Sequence, residues 1–309
     1  MKIMKRKVKT LLLYCFFAGF CAICNAQDYY GNGNNGSWRR KPNNDQQPPK
    51  DENITEPSGY LSINFGFATP EGSYGQSFSE SAYPLTGTGG VGIGYGGYAQ
   101  PGFAFDFSLG VPINHSNFGI AFMFGSYNNE YDLNSYVNSL SASSINYNVY
   151  SASAITGYST APSANDYSES SILGGLFFTY PIGRLSLDGR AMLGVLLSGL
   201  PEQDIYAIDA ANDELQYDVE SSNSTSLAFD VGIGARFMIA QFGRRKLCVM
   251  VNLDYLYSNV SYSTQQDLYV VPASGANAGY QVSLIPTPAV SGSFPIQMLN
   301  VTFGIGYQL

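Results

Sequence analysis

The chain has 309 residues, 14% of them aromatic and only 12% charged, about half the usual charged share. That length excludes a mini-protein and suits one large β domain or two small ones, and a mean hydropathy of −0.05 excludes a bundle of membrane-spanning helices. Five of the 15 basic residues (Lys2, Lys5, Arg6, Lys7 and Lys9) precede the rest, which holds 10 against 23 acids, a net charge of −13; so acidic a product argues against nucleic-acid binding, which needs basic surface to neutralise phosphates.

Those five cations lead into an unbroken apolar run from Leu11 to Cys24, followed by Cys24-Asn25-Ala26 with small residues where a signal peptidase cuts. At about 14 residues the run is short for a membrane helix, so residues 1–26 read as a cleaved signal peptide. Three of the four cysteines, Cys15, Cys21 and Cys24, leave with it. Cys248 then has no disulfide partner in the chain, and a cysteine metal cluster is excluded. Residues 27–57 are rich in Asn, Gln and Pro without apolar periodicity, as expected of a disordered tail on the periplasmic side. Trp38-Arg39-Arg40 is its one candidate partner-binding motif.

From residue 58 onward apolar residues fall on alternate positions, the period of a strand with one apolar face. Strand 1 is marked by Leu61, Ile63, Phe65 and Phe67, and strand 2 by Phe103, Phe105, Phe107, Leu109 and Val111. Phe118, Ile120, Phe122 and Phe124 mark strand 3; Ile172, Leu176, Phe178 and Tyr180 mark strand 4. Strand 5 carries Leu185, Leu187, Ala191, Leu193, Val195 and Leu197, and strand 6 Leu227, Phe229, Val231, Ile233, Phe237 and Ile239. Strand 7 runs over Leu247, Val249, Val251, Leu253, Tyr255 and Tyr257, and strand 8 over Leu299, Val301, Phe303, Ile305, Tyr307 and Leu309. Soluble strands average about five or six residues; strands of ten or so suit a bilayer. Two shorter runs, Val91-Ile93-Tyr95 and Tyr280-Val282-Leu284, raise the count to ten if they also cross.

Short turns at Pro112–Ser116, Pro181–Gly183 and Gln241–Arg244 alternate with four connections of roughly 25 to 45 residues, rich in Ser, Asn, Tyr and acid. Short periplasmic turns and long outer loops distinguish a transmembrane barrel, whereas a compact soluble domain seldom carries four such loops. On this eight-strand pattern, on Gly97-Tyr98-Ala99 leading into strand 2, and on the C-terminal strand, residues 58–309 resemble the small, OmpA-like outer-membrane β-barrel proteins of bacteria. The resemblance implies an all-β, eight-stranded antiparallel transmembrane barrel in the cell outer membrane, bounded by outer-membrane lipid and lipopolysaccharide. It also implies insertion by the barrel-insertion machinery acting on the last strand, which here ends in Leu309 with Tyr307 as the nearest aromatic.

The alternation turns six charges inward: Asp106, Asp188, Arg190, Asp230, Arg236 and Asp254. Counted from the turns, Asp188 and Arg236 stand at one height, with Arg190 slightly higher and below Asp230 and Asp254. Buried charges are tolerated only when paired, so the set reads as a salt-bridge network filling a narrow lumen. The rival is a small gated pore in which Arg190 and Arg236 exchange partners.

Three motifs carry no chemistry. Gly87-Thr88-Gly89-Gly90-Val91-Gly92 fits the dinucleotide fingerprint but leads into a strand, where a helix N-terminus is required. His115, the sole histidine, sits in a periplasmic turn, the wrong end for a barrel-type acyl hydrolase or acyltransferase. Cys248 faces inward as a small filler. Seven acids between strands 5 and 6 (Glu202, Asp204, Asp209, Asp213, Glu214, Asp218 and Glu220) read as a solvated surface, their spacing matching no Ca²⁺ loop. Arg184, Arg244, Arg245 and Lys246 flank the periplasmic turns. No cofactor and no catalytic set is expected. The expected function is structural or surface-interacting and non-enzymatic, with Tyr- and Ser-rich loops suited to adhesion; the alternative is a narrow pore or a conduit for small, hydrophobic molecules.

Overall fold

The computed structural model describes residues 59–75, 97–114, 116–135, 155–158, 163–242, 245–264, 266–275, 277–283 and 290–308. The stretches expected as signal peptide (1–26) and tail (27–57), His115 and the Gly87–Gly92 motif lie outside these residues. In chain order the described residues form β1 (Tyr60–Pro70), β2 (Gly102–Pro112), β3 (Phe118–Asn129), and the short β4 (Ile155–Tyr158) and β5 (Ser163–Ala164). Then come β6 (Tyr167–Ile182), β7 (Leu185–Leu200), β8 (Gln203–Asp209), β9 (Glu214–Val219) and β10 (Ser222–Phe242). The chain ends with β11 (Arg245–Thr264), β12 (Gln266–Val271), β13 (Val282–Ser283) and β14 (Val290–Gln308). One helical turn, α1 (Gly72–Gly75), follows β1.

Eight strands close into a ring in the order β1-β14-β11-β10-β7-β6-β3-β2, each antiparallel to its neighbours. Closure pairs Tyr60 with Gln308 and Pro70 with Met298, so the ring has no free edge where the two ends of the barrel sheet meet. The strands are those marked by the sequence alternation, and the register follows its phase. Ile63 lies between Ile305 and Phe107, Phe65 between Phe303 and Phe105, all facing outward. The outward faces expose large apolar side chains on every strand of the ring, among them Phe67 at 66%, Leu176 at 64% and Leu227 at 75%. An apolar surface of this extent is unstable in water and matches the hydrocarbon of a bilayer. No helix among the described residues is long and apolar enough to cross a membrane, which bears on helices alone.

The short turns follow from local chemistry. Gly183, with φ of 61°, takes the left-handed conformation that a two-residue hairpin between β6 and β7 requires. Asn114, with φ of 50°, does the same between β2 and β3, asparagine being one of the few other residues that tolerate it. A register shift between Met238 and Ala240 bulges β10 beside its turn to β11.

The ten-strand alternative is corrected for its second run. Val282 lies in β13, which pairs with β12 outside the ring, and Tyr280 is exposed at the preceding turn. The first run, Val91–Tyr95, lies outside the described residues. Segments expected as loops instead build a second sheet, β13-β12-β9-β8-β4, with β5 also on β8. Three connections, far apart in sequence, meet in it.

Candidate functional site

The inward positions divide the barrel into two halves. Toward the short turns the lumen is polar. Arg236 donates from Nε to Asp188 Oδ2 at 2.6 Å, and from Nη2 to Asp188 Oδ1 at 2.7 Å and Thr179 Oγ1 at 2.8 Å. In register Asp188 lies opposite Gly234, so Arg236 reaches one pair along its own strand to meet it. Its guanidinium also lies 4.6 Å from the Tyr60 ring centre, and Tyr60 meets Phe177 edge-on at 5.6 Å. These side chains floor the lumen; Arg236, Tyr60 and Phe177 are all buried.

Arg190 makes a second, two-pronged pair with Asp254: Nε donates to Oδ1 at 2.7 Å and Nη2 to Oδ2. Their strands, β7 and β11, are not neighbours. Both residues pair with Gly232 of the intervening β10, and a Cβ there would stand 1.8 Å from Asp254 Oδ1 and 3.1 Å from Arg190 Nε. The missing side chain is the window through which the pair forms. This corrects the expected heights, since Arg190 and Asp254 share one row while Asp188 and Arg236, expected at one height, stand one inward position apart. Counting from turns cannot see that, because register is set strand by strand.

Asp106 is bonded to no cation among the described residues. It accepts from Asn64 Nδ2 at 2.6 Å, Ser108 Oγ at 2.8 Å and Thr302 Oγ1 at 3.2 Å. Asp230 is fully buried, and no donor among the described residues reaches either carboxylate oxygen. The charged groups that face it are Asp254, Arg190 and Asp106. Cys248 is buried with Sγ 3.8 Å from Gln308 Oε1. The six charges therefore resolve into two ion pairs and two acids that lack a bonded cation.

Toward the long loops the lumen is lined mostly by apolar side chains, buried Met123, Leu173, Met192, Leu196, Leu256 and Met298, with Asp230 directly between Met192 and Leu256 in register and Ser171, Ser198 and Ser258 buried among them. Above them α1 inserts Tyr74, which is fully buried; its hydroxyl donates to Glu169 Oε1 at 2.5 Å and its ring packs edge-on against Tyr167. Ala99 N donates to the Tyr74 carbonyl and Gly97 N to that of Ser73, while Tyr167 Oη donates to the Gly97 carbonyl, which ties α1 to the segment before β2. Gly97-Tyr98-Ala99, which leads into β2, thus also helps hold the plug. Glu169, an inward acid fully buried with Oε2 unbonded, was not legible. It lies on β6 beyond the last outward apolar marker, Ile172, where Ser170 and Ser168 take the outward places. Extending the strand to Tyr167 finds it.

The second sheet has a buried face (Gln203, Ile205, Ala207, Leu215 and Val270) and an open one. Two of the acids expected on a solvated surface belong to the buried side. Asp209 Oδ1 accepts from Ala211 N at 2.8 Å and Asp213 N at 2.9 Å, closing the β8–β9 turn. Asp213 Oδ1 accepts from Ala273 N at 2.8 Å, fastening the β12–β13 turn. On the open face Asp204, Asp218 and Asp267 stand directly opposite one another across β8, β9 and β12, and Tyr206, Gln216 and Tyr269 form the next row. Partial burial, then the Asp204 carboxylate, hold the Asp218 carboxyl above its usual range.

No family model and no curated protein matches the chain. Among solved structures it is similar to Neisserial surface protein A, at 12% identity and a TM-score of 0.36, covering 81% of this chain and 97% of that one. It is also similar to a major outer membrane protein of Thermus thermophilus, at 11% identity and 0.30, covering 81% and 99%. A third is the outer membrane protein AlkL in lipid bilayers, at 13% identity and 0.31, covering 89% and 97%. With its closed ring of eight antiparallel strands, short turns at one end and long connections at the other, the chain is an eight-stranded antiparallel β-barrel with an outward apolar band.

Proposed function

We propose that the protein is a non-enzymatic integral barrel of the outer membrane whose work is done at its outer surface by the second sheet. The observation that carries this reading is the filled lumen. Arg236, Tyr60 and Phe177 are buried at one end, Tyr74 and Tyr167 are buried at the other, and the side chains between them are buried too. Material is invested instead in the outer sheet, which joins three connections and offers an acidic, tyrosine-bearing face. Tyrosine gives a large contact area at low entropy cost. The surrounding lipid and lipopolysaccharide, export by a cleaved signal peptide, and recognition of β14 by the insertion machinery belong to the same reading.

The test is solute flux through proteoliposomes. The full mature chain, reconstituted in vesicles, is expected to pass small sugars, amino acids and short alkanes no faster than empty vesicles do. Flux of any of these that depends on the protein moves the assignment to a pore or conduit.

A further inference from the structure

Charge is divided between the two ends of the ring. The four long connections, residues 71–101, 130–166, 201–221 and 265–289, hold acids and no lysine or arginine. The short-turn stretches, residues 108–118, 179–188 and 237–249, hold Arg184, Arg244, Arg245 and Lys246 against one acid, Asp188, which is bound to buried Arg236. The cations gather on one arc of that rim. β7 and β10 are neighbours in the ring, so the β6–β7 and β10–β11 turns stand side by side, and Met238 N donates to the Arg184 carbonyl at 2.9 Å. Arg184 and Arg245 are both exposed, and both lean on the outward wall. The Arg184 guanidinium carbon lies 5.6 Å from the centre of the Phe237 ring, and that of Arg245 lies 5.9 Å from the centre of the Tyr307 ring. Phe237 belongs to the exposed apolar band, as do Ile182 and Ile239 at the same end. Neither arginine forms an ion pair among the described residues.

An arginine laid over an aromatic ring keeps its apolar stem against the wall and its guanidinium at the level where hydrocarbon gives way to headgroups. The guanidinium presents paired donors that match two oxygens of a phosphate. Its anion must come from a molecule that lies against the same wall as Phe237 and Tyr307, and that molecule is a lipid. A zwitterionic headgroup brings an ammonium that finds no free carboxylate on this arc among the described residues, whereas an anionic headgroup brings none. We propose that the arc formed by the β6–β7 and β10–β11 turns binds anionic phospholipid headgroups of the leaflet on the short-turn side, with Arg184 and Arg245 each donating to phosphate. The acids of the long connections repel the same headgroups, so the preference belongs to one end of the barrel. The proposal rests on the apolar band and concerns the end away from the outer sheet, so it is independent of what that sheet recognises.

The test is lipid selectivity at the barrel wall. The mature chain is reconstituted in phosphatidylcholine vesicles carrying a trace of spin-labelled phosphatidylglycerol or spin-labelled phosphatidylcholine. Electron spin resonance reads the motionally restricted fraction of each label. The native chain is expected to restrict phosphatidylglycerol more than phosphatidylcholine, and to lose that preference in high salt, which screens exposed charges. The Arg184→Gln, Arg245→Gln double variant is expected to restrict the two labels equally, while Arg184→Lys, Arg245→Lys keeps part of the preference through its charge. Asp218→Asn, on the outer sheet, is expected to keep all of it. Equal restriction of the two labels by the native chain overturns the proposal whether or not the variants fold; a thermal midpoint that then rises in inorganic phosphate over chloride at equal ionic strength assigns the arginines to free phosphate instead. A preference that persists undiminished in the double glutamine variant also overturns it, by placing the lipid elsewhere on the barrel.

Discussion

Gly232 shows how much one residue decides in a lumen this narrow. Its lack of a side chain lets Arg190 and Asp254 meet over an intervening strand. Gly232→Ala is expected to displace the Asp254 carboxylate and cost about 1–3 kcal/mol, the scale of overpacking a filled interior. Urea unfolding in lipid vesicles measures it, and the cost is expected to shrink in an Asp254→Asn, Arg190→Gln background where there is no pair left to displace. Asp188 and Arg236 give the matching case for a bonded pair. Removing either alone strands a buried charge and is expected to cost about 3–5 kcal/mol, while removing both costs much less. A double-mutant cycle reads the difference directly; a coupling near zero contradicts the pairing. Which charges face inward was legible from the period of two, because every inward position follows from its outward neighbours. Which of them meet was legible only for adjacent strands, β7 with Asp188 and β10 with Arg236, each counted from the short turn at its own end. Arg190 and Asp254 belong to strands that are not neighbours, and their contact depends on register and on Gly232.

Elements in the bilayer and elements outside it obey different constraints, and the sequence displays them unequally. A strand crossing the membrane must be apolar on every outward position, so β1, β2, β3, β6, β7, β10, β11 and β14 declare themselves. Val195, outward on β7 and 39% exposed, belongs to that band. Val195→Arg is expected to cost about 2–4 kcal/mol if it lies near the bilayer midplane, as folding titrations into vesicles would show. Strands of the outer sheet face water and carry the demand on one side only. Ile205, Ala207 and Leu215 alternate as clearly as any, but Asp204, Tyr206 and Gln216 between them resemble loop residues, and the partner strands lie in other connections. The aspartate row leaves a measurable mark on this sheet. Like charges directly opposite one another destabilise strand pairing by about 0.2–1 kcal/mol. Because the folded sheet raises the Asp218 carboxyl, the sheet gains stability as pH falls through that carboxyl's folded value and loses it again as pH rises. Asp218→Asn is therefore expected to slow amide hydrogen exchange across residues 203–219 at pH 7, with the difference from the native chain shrinking as pH falls through the folded value of the Asp218 carboxyl.

At the scale of the whole molecule, the proposed function rests on the lumen being full. In that proposal a salt-bridged floor, a mostly apolar upper half and a tyrosine plug leave the barrel as a membrane anchor, with recognition assigned to the outer sheet. The sequence could present the interior charges equally as a sealed network or as a gated pore, since both need inward acids and arginines; only their contacts and burial separate the two. Single-channel recording of the purified mature chain in planar bilayers separates them in function. A filled lumen predicts no conductance steps above the bare bilayer for the native chain, and openings only after Arg190→Ala or Tyr74→Ala breaks the filling. Stable, well-defined steps from the native chain would contradict it.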